Sequence, residues 1–163
     1  MRTNVYLSLG TNQGDRRANI EAALCRLDEL RGCPYAALSD LVETPAWGFE
    51  GPDFLNCVVL YTLDRDCRRP AVEQALELLD ICKRIESVMG RVQNVAYAAD
   101  GSRIYHSRPI DIDILFYGRE RISHPRLTIP HPLISQRDFV KIPLRQVARR
   151  SLRDAFPDKS LYY

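Results

Sequence analysis

The sequence predicts an α+β fold of the ferredoxin-like type, with a βαββαβ core, helices packed on the sheet and a C-terminal extension. Two observations support this prediction. Short apolar runs typical of strands alternate with two longer segments in which apolar residues recur at helical spacing. Their order along the chain is β-α-β-β-α-β, which is the split βαβ arrangement. The 163 residues can bury a sizeable core, so we expect residues 1–163 to form a single domain.

The first strand and the first helix are marked by the residues that bound them. Residues 5–9 form a short apolar run that Gly10 closes, and Asp15 offers an N-cap for the helix that follows. Gly32 ends this helix, with Pro34 just beyond it. The apolar stripe of the helix contains Ile20, Ala23, Leu24, Leu27 and Leu30.

Two more strands and a second helix fill the middle of the chain. Residues 36–43 and 54–63 are predicted as strands, separated by a loop rich in turn-forming residues. Pro70 fits the first turn of a long helix, and Gly90 fits its stop. The apolar stripe of this helix contains Val72, Leu76, Leu79, Cys82, Ile85 and Met89.

Residues 91–108 show little periodicity, and a long irregular segment inside a compact domain is usually functional or mobile. The fourth strand of the core follows this segment. From residue 119 onward we predict a short hairpin, a proline-punctuated segment around His131 and a last helical turn or two.

Two carboxylates share one face of this fourth strand. Alternate residues of a strand point the same way, so Asp111 and Asp113 lie together with Cα atoms roughly 6.7 Å apart. We expect the other face to be apolar, formed by Ile110, Ile112, Ile114 and Phe116. Such close like charges repel unless a cation lies between them, and two Mg²⁺ ions can be spanned by two carboxylates and the oxygens of a polyphosphate.

A solvated face on an edge strand is the more common explanation of such an acid pair when it is taken alone. Two features of the surrounding sequence favour a metal site instead. Apolar residues alternate strictly with the two acids, and arginine and histidine residues lie just before and after the strand. We therefore expect Asp111 and Asp113 to hold metal.

Composition argues against several classes of function. The net charge of +2 is too small for a dedicated nucleic-acid binder. Five cysteines without C-x-x-C or zinc-like spacing predict reduced thiols, partly core filler, in a cytoplasmic protein. The N-terminus does not resemble a signal peptide, and no segment reaches the length of a membrane span, so we expect no membrane contact.

Phosphate would have to be held by metals and side chains, because the chain has neither a Walker-type loop nor a Rossmann glycine motif. The glycine-containing segment 10–14 fits neither pattern and is interpreted as a plain turn. Guanidinium groups match phosphate oxygens bidentately. Solvation at the surface is the alternative for any one of the arginines that bracket the acid strand, which are Arg91, Arg108, Arg126 and Arg137.

Two further segments carry candidate binding groups. His131 stands between two prolines that stiffen its backbone, and a structural role for it is equally compatible with the sequence. The loop over 44–56 combines aromatic rings with the Asn56 carboxamide, a set that can stack and hydrogen-bond a flat heterocycle. Alternatively, Trp47, Phe49 and Phe54 fill the core under this loop.

Taken in order, these motifs closely resemble the 6-hydroxymethyl-7,8-dihydropterin pyrophosphokinase family of folate biosynthesis, from residue 4 to about residue 148. The most specific element is an R-x-x-D-x-D pattern followed by L-T-x-P-H. The matching segments are 44–45, 52–56, 90–92, 108–118 and 126–131. Within 91–108 the chain departs from the family at Gln93, Tyr105 and His106, and this segment is longer than the family pattern.

The resemblance implies a single pyrophosphokinase domain that transfers the terminal pyrophosphate of ATP to the pterin hydroxymethyl oxygen and releases AMP. It implies two Mg²⁺ ions on Asp111 and Asp113, with Arg91 and Arg108 neutralising charge on the moving phosphates. The pterin positions are Thr44, Pro45, Trp47, Phe54, Asn56 and Phe139. The ATP positions are Lys83, Glu86, Arg91, Arg108, Ile114, Arg126, Thr128, His131 and Arg137.

Two other classes of function stay open at this point. Another D-x-D, Mg²⁺-dependent nucleotidyl- or glycosyltransferase would release pyrophosphate or a nucleoside diphosphate instead of AMP. A non-catalytic ferredoxin-like binding module would need a sheet face free of acids that repel a nucleic-acid backbone. For partners we expect small molecules only, with no nucleic acid and no membrane, and we expect a monomer.

Overall fold

The computed structural model describes residues 1–46, 50–90, 96–97, 99–100, 103–104 and 109–163, and only the backbone of residues 96, 97, 103 and 104. In chain order the strands of this part are β1 Arg2–Thr11, β2 Ala37–Leu38, β3 Val42–Thr44, β4 Phe54–Asp64, β5 Ala96–Tyr97, β6 Arg103–Ile104, β7 Asp111–Tyr117, β8 Ile122–His124 and β9 Leu127–Ile129. The helices are α1 Arg16–Arg31, α2 Ala71–Val88, α3 Asp138–Val147 and α4 Arg150–Ala155.

A five-stranded antiparallel sheet organises the fold. Its order is β2-β4-β1-β7, and β3 also pairs with β4. After α2 the chain continues through residues 89–110 to β7, an outer strand of the sheet. This strand completes the split βαβ pattern. The α+β, ferredoxin-like prediction is therefore confirmed.

The second predicted strand, over 36–43, is broken into β2 and β3. Ser39 causes the break, because its hydroxyl oxygen accepts the Val58 N–H at 2.9 Å while its own N–H donates to the Val58 carbonyl at 3.0 Å. The Ser39 hydroxyl thus replaces a backbone carbonyl as the acceptor in the hydrogen-bond ladder with β4. Both pieces still lie against β4, so the topology is unchanged.

Both long helices lie where the sequence predicts them. The Asp15 carboxylate accepts the Ala18 N–H at 3.1 Å as the N-cap of α1, and Gly32 ends that helix at a φ of 67°, where glycine is favoured. Pro70 is the N-cap of α2 and lies just outside its first turn. Met89 is the C-cap of α2, with Gly90 next in the chain at a φ of 97°.

The sheet buries apolar side chains on both faces. One face packs against α1 and α2 and forms the inner core. Its members on the strands and just before β7 include Val5, Leu7, Leu9, Val59, Ile110, Ile112 and Ile114. The other face packs against α3 and α4 and forms a second core, whose members include Tyr6, Val58, Leu60, Leu115, Phe116, Val140 and Leu144.

Phe116 corrects the predicted alternation of β7. A bulge shifts the register between Leu7 opposite Ile114 and Tyr6 opposite Phe116. The extra residue reverses the alternation beyond it, so Phe116 lies in the second core and Ile110, Ile112 and Ile114 lie in the inner core. The face that carries Asp111 and Asp113 is therefore polar only at one end.

The C-terminal extension is more helical than the helical turn or two that the sequence predicts. The hairpin of β8 and β9 is confirmed, but two helices and two short 3₁₀ segments follow it. Pro143 lies inside α3 and is buried. A proline normally interrupts a helix, so this residue obscures the length of α3 in the sequence.

All five cysteines are free, and Cys57 and Cys82 are buried core residues, as the sequence predicts. Burial raises the pKa of each of these two thiols to about 12. In the part of the chain that the structure describes, none of the helices has the length and apolar character needed to cross a membrane.

Truncation of Leu144 tests whether the second core attaches α3 to the sheet. Leu144 is fully buried, so Leu144→Ala should lower the free energy of unfolding by about 2–5 kcal/mol, measured by urea denaturation. Ile142 on the same helix is 37% exposed, and Ile142→Ala is the matched control with a smaller expected loss. Equal losses in the two variants would show that α3 does not pack as described.

Candidate active site

Gly10 lies at the centre of the candidate site. In the sheet it is opposite Asn56 of β4 on one side and opposite Asp111 of β7 on the other. Directly opposed residues of antiparallel strands point to the same face, so the Asn56 carboxamide and the Asp111 carboxylate flank a residue without a side chain. Adjacent strands are about 4.8 Å apart, which places Asn56 and Asp111 roughly 10 Å from each other.

The acid pair lies on this same face, as the sequence predicts. Asp111 and Asp113 are both partly exposed, and the Asp113 side chain is 38% accessible. Arg137, at the N-terminus of α3, places its guanidinium 3.7 Å from the Asp113 carboxylate. The cation thus partly offsets the repulsion between the two acids.

The donor set fits Mg²⁺ better than a metal enclosed by protein ligands. No cluster of three or more His, Cys, Asp and Glu side chains suited to a metal occurs among the described residues. Mg²⁺ usually takes one or two carboxylates and completes its shell with water and substrate phosphates. Two adjacent, partly exposed aspartates therefore suit a magnesium site shared with a phosphate ligand.

Glu86 connects α2 to the strand of the acid pair. Its side chain is only 3% exposed, and its Oε1 accepts the N–H of Ile112, the residue between the two aspartates, at 2.9 Å. Its Oε2 lies 3.4 Å from the Lys83 ammonium. A hydrogen bond to a charged group contributes about 1.5–3 kcal/mol, so this contact fixes the edge strand at the acid pair.

Two hydrogen bonds fix His131, one through its backbone and one through its ring. Its N–H donates to the Leu115 carbonyl at 3.0 Å, and its Nδ1 accepts the Leu133 N–H at 3.2 Å. Burial lowers the pKa of the imidazole, and this effect outweighs the opposing effect of Asp113. The neutral ring therefore carries its proton on Nε2, where it can donate to a ligand.

The remaining predicted nucleotide residues are spread along α2 and the hairpin. Arg126 pairs with Asp80 at 2.5 Å, and Asp80 lies three residues before Lys83 on α2. Thr128 is exposed between the buried Leu127 and Ile129. Ile114 differs, because its side chain is buried in the inner core and leaves only its backbone for a ligand.

The predicted heterocycle residues lie across β1 from the acids. The Asn56 amide donates to the Thr44 hydroxyl at 2.8 Å and to the Val42 carbonyl at 3.3 Å, which fixes its orientation. Phe54 and Phe139 are both partly buried, and the Arg137 guanidinium lies 5.5 Å from the centre of the Phe139 ring. Pro45 follows β3 and is exposed.

The sequence interpretation missed three residues of this region. Gly10 is inside β1, which continues to Thr11, and a glycine inside a strand is a signal of close approach. Asn12 donates to the Pro52 carbonyl at 3.1 Å, and Arg16 donates to the Asp53 carbonyl at 3.0 Å. These two bonds attach the segment before Phe54 to the start of α1, a connection that no local pattern reveals.

Three predicted site residues, Arg91, Arg108 and Trp47, lie outside the described residues, as do Gln93, Tyr105 and His106.

Comparison with known proteins gives a family for this site. Residues 6–149 match the family model described as 7,8-dihydro-6-hydroxymethylpterin-pyrophosphokinase (HPPK). The chain belongs to the HPPK family.

Two relatives named 2-amino-4-hydroxy-6-hydroxymethyldihydropteridine pyrophosphokinase extend this finding. The protein from Porphyromonas gingivalis is 42% identical over 146 residues, covering 88% of this chain and 90% of the relative. The protein from Methylorubrum extorquens is 35% identical over 150 residues, covering 90% of this chain and 83% of the relative. Similarity to HPPK relatives therefore spans nearly the whole length of both chains.

A solved structure supports the HPPK fold independently. A crystal structure of an HPPK-DHPS protein in complex with substrates superposes with a TM-score of 0.62 at 15% identity. The match covers 96% of this chain and 43% of that chain. At this level of identity the likeness concerns the fold alone.

Substitution of Gly10 tests the geometry at the centre of the site. A Cβ at this position would lie 2.8 Å from the Asn56 Oδ1 and 3.6 Å from Phe54 Cδ1. Gly10→Ala should therefore displace the Asn56 amide, shift its side-chain NH₂ resonances and lower the free energy of unfolding by about 1–3 kcal/mol. Ser8→Ala, two residues away on the same face, adds no atom and should leave those resonances in place. Unchanged Asn56 resonances in Gly10→Ala would contradict the described register.

Proposed function

We propose that this protein is a pyrophosphokinase of folate biosynthesis. It transfers the terminal pyrophosphate of ATP to the hydroxymethyl oxygen of 6-hydroxymethyl-7,8-dihydropterin and yields AMP and the pterin pyrophosphate. Membership of the HPPK family and the names of its relatives support this activity. Both substrates are small molecules, and we propose that the protein acts as a monomer. We propose a cytoplasmic location, in line with its five free cysteines.

One observation carries the proposal. Gly10 is opposite Asn56 on one side and Asp111 on the other, so the groups proposed to bind a heterocycle and a metal–phosphate group are neighbours on one sheet face. The separation of roughly 10 Å suits a pterin ring at Asn56 whose hydroxymethyl group extends toward the acids. An enzyme that joins a pterin to pyrophosphate needs this adjacency.

The acid pair supplies the site for divalent cations. Asp111 and Asp113 would hold two Mg²⁺ ions, which when bound neutralise phosphate charge as the reaction proceeds. The fixed strand backbone keeps the two carboxylates at one spacing, because Glu86 accepts the N–H of Ile112 between them. The chain thus presents its oxygen ligands already oriented.

The reaction requires no covalent intermediate on the protein. The hydroxymethyl oxygen bonds to the β-phosphorus of ATP, the bond from that phosphorus to the oxygen bridging the α-phosphate breaks, and the hydroxyl proton is lost. AMP leaves with the bridging oxygen. The role of the chain is therefore to align the two substrates and to stabilise charge.

Side chains around the acids suit the polyphosphate. The Arg137 guanidinium lies 3.7 Å from the Asp113 carboxylate, and His131 is near enough for the charge of Asp113 to act on its ring. Both side chains would donate to phosphate oxygens. Lys83, Arg126 and Thr128 would supply further hydrogen-bond donors to the rest of the nucleotide. Arg91 and Arg108 complete the proposed catalytic set, because they match positions of the family motif.

The groups around Asn56 suit the pterin. Its carboxamide is fixed by Thr44 and Val42, and the Asn56 Oδ1 is the acceptor near Gly10. Phe54 and Phe139 offer aromatic faces for the ring, while Pro45 and Trp47 belong to the loop that would read its edge. Such preorganised polar groups reject analogues that lack the matching N–H groups.

Removal of either acid tests the proposed activity. Asp111→Ala and Asp113→Ala should lower Mg²⁺-dependent AMP formation from ATP and hydroxymethyldihydropterin by about 100-fold or more, because charge on the phosphates is no longer neutralised. Circular dichroism should show an intact fold. Asp64→Ala is the matched control, since this exposed carboxylate lies at the opposite end of the sheet.

Product analysis by chromatography completes the assay, and a reaction without the pterin is its blank. Full activity in either acid variant would refute the metal role of the pair. Release of inorganic pyrophosphate or of a nucleoside diphosphate instead of AMP would identify a different D-x-D transferase.

A further inference from the structure

A cavity lies at the end of the sheet that the candidate active site does not use. Its volume is about 370 Å³, within the range of small-molecule sites. The start of β1, the turn after β7 and the start of α4 line it. Along β1, Asn4 in this cavity is six residues from Gly10, which corresponds to roughly 20 Å, so the two sites are separate.

Positive charge dominates the lining of this cavity. Arg2, Arg65 and Arg119 contribute guanidinium groups, against the single carboxylate of Glu120. Arg65 pairs with Glu120 at 2.7 Å. Arg2 lies 3.9 Å from Asp64, but both side chains are largely exposed, so this pair is weak. The cavity therefore retains an excess of cationic groups.

The Nε of Arg65 is a buried donor without a hydrogen-bond partner among the described residues. Buried donors without partners are uncommon and call for an explanation. An acceptor-rich anion bound beside Arg65 would satisfy this donor after a small side-chain adjustment.

The rest of the lining leaves room for a molecule larger than a bare ion. Gly118 contributes no side chain, and the rings and methyl groups of Tyr6 and Leu152 form an apolar wall. The Tyr6 hydroxyl is already engaged, since it accepts the Arg149 N–H at 3.1 Å. Arginine forks match phosphate oxygens in particular, because both are arranged for bidentate hydrogen bonding.

We propose that this cavity is a second ligand site, which binds a small phosphate-bearing molecule through Arg2, Arg65 and Arg119. The site is separate from the reaction centre at Asp111 and requires no chemistry there.

A titration of the full-length protein with inorganic pyrophosphate, without Mg²⁺, tests the proposal by amide NMR. Resonances of Asn4, Gly118 and Ser151 should shift as one group, with a Kd distinct from that of any shifts at residues 110–114. Arg119 is exposed, so Arg119→Gln should weaken binding at the first group at least fivefold without loss of folding. Arg26→Gln makes the same charge change on the exposed face of α1 and should leave the Kd unchanged.

A second variant tests another guanidinium of the lining. Arg2 is largely exposed and its pair with Asp64 is weak, so Arg2→Gln should leave Tm unchanged while the Kd for pyrophosphate increases severalfold. An unchanged Kd in both Arg119→Gln and Arg2→Gln would overturn the proposal, as would shifts confined to residues 110–114. Equal binding of citrate at this site would overturn the assignment to phosphate. AMP formation by the enzyme is a separate measurement, so failure here leaves the proposed function in place.

Discussion

The register of β1 between its two neighbours is the constraint on which the site depends. At Gly10 the central strand is opposite Asn56 and Asp111 at once, and a side chain there would collide with the Asn56 amide. A shift of either pairing by one residue would turn the carboxamide or the carboxylate into the inner core. The hydrogen-bonded ladder of the sheet therefore holds the two halves of the site together.

Packing explains why the polar groups collect at one end of this sheet face. The α3 and α4 helices pack on this face around Tyr6, and the bulge in β7 turns Phe116 into the same second core. At the N-terminus of α3, Arg137 meets the partly exposed Asp113. The α3 helix therefore has two roles, because it packs in the second core and its N-cap residue Arg137 contacts the acid pair. The packing that stabilises the fold also fixes the geometry of the candidate site.

The sequence predicts most of the fold, because periodicity and caps are local signals. Asp15, Gly32 and the alternation of Ile110, Ile112 and Ile114 are sufficient to place α1 and the inner face of β7. The reversal at Phe116 and the break at Ser39 depend on pairing between strands, which local patterns do not show. Sequence motifs select Asp111, Asp113 and Asn56 as candidate site residues. The position of Gly10 between Asn56 and Asp111 and the Glu86 contact with Ile112 depend on the packed structure and became evident only there.

The adjacency of the metal and heterocycle sites is the central claim, and paramagnetic broadening by Mn²⁺ with a non-hydrolysable ATP analogue measures it directly. Broadening falls steeply with distance, so it should be strongest at Asp111 and Ile112, clear at the Asn56 side-chain amide about 10 Å away, and weak at Asn4 about 20 Å from Gly10. This order is the predicted result. Broadening that spares the Asn56 amide, or that is as strong at Asn4 as at Ile112, would contradict the account.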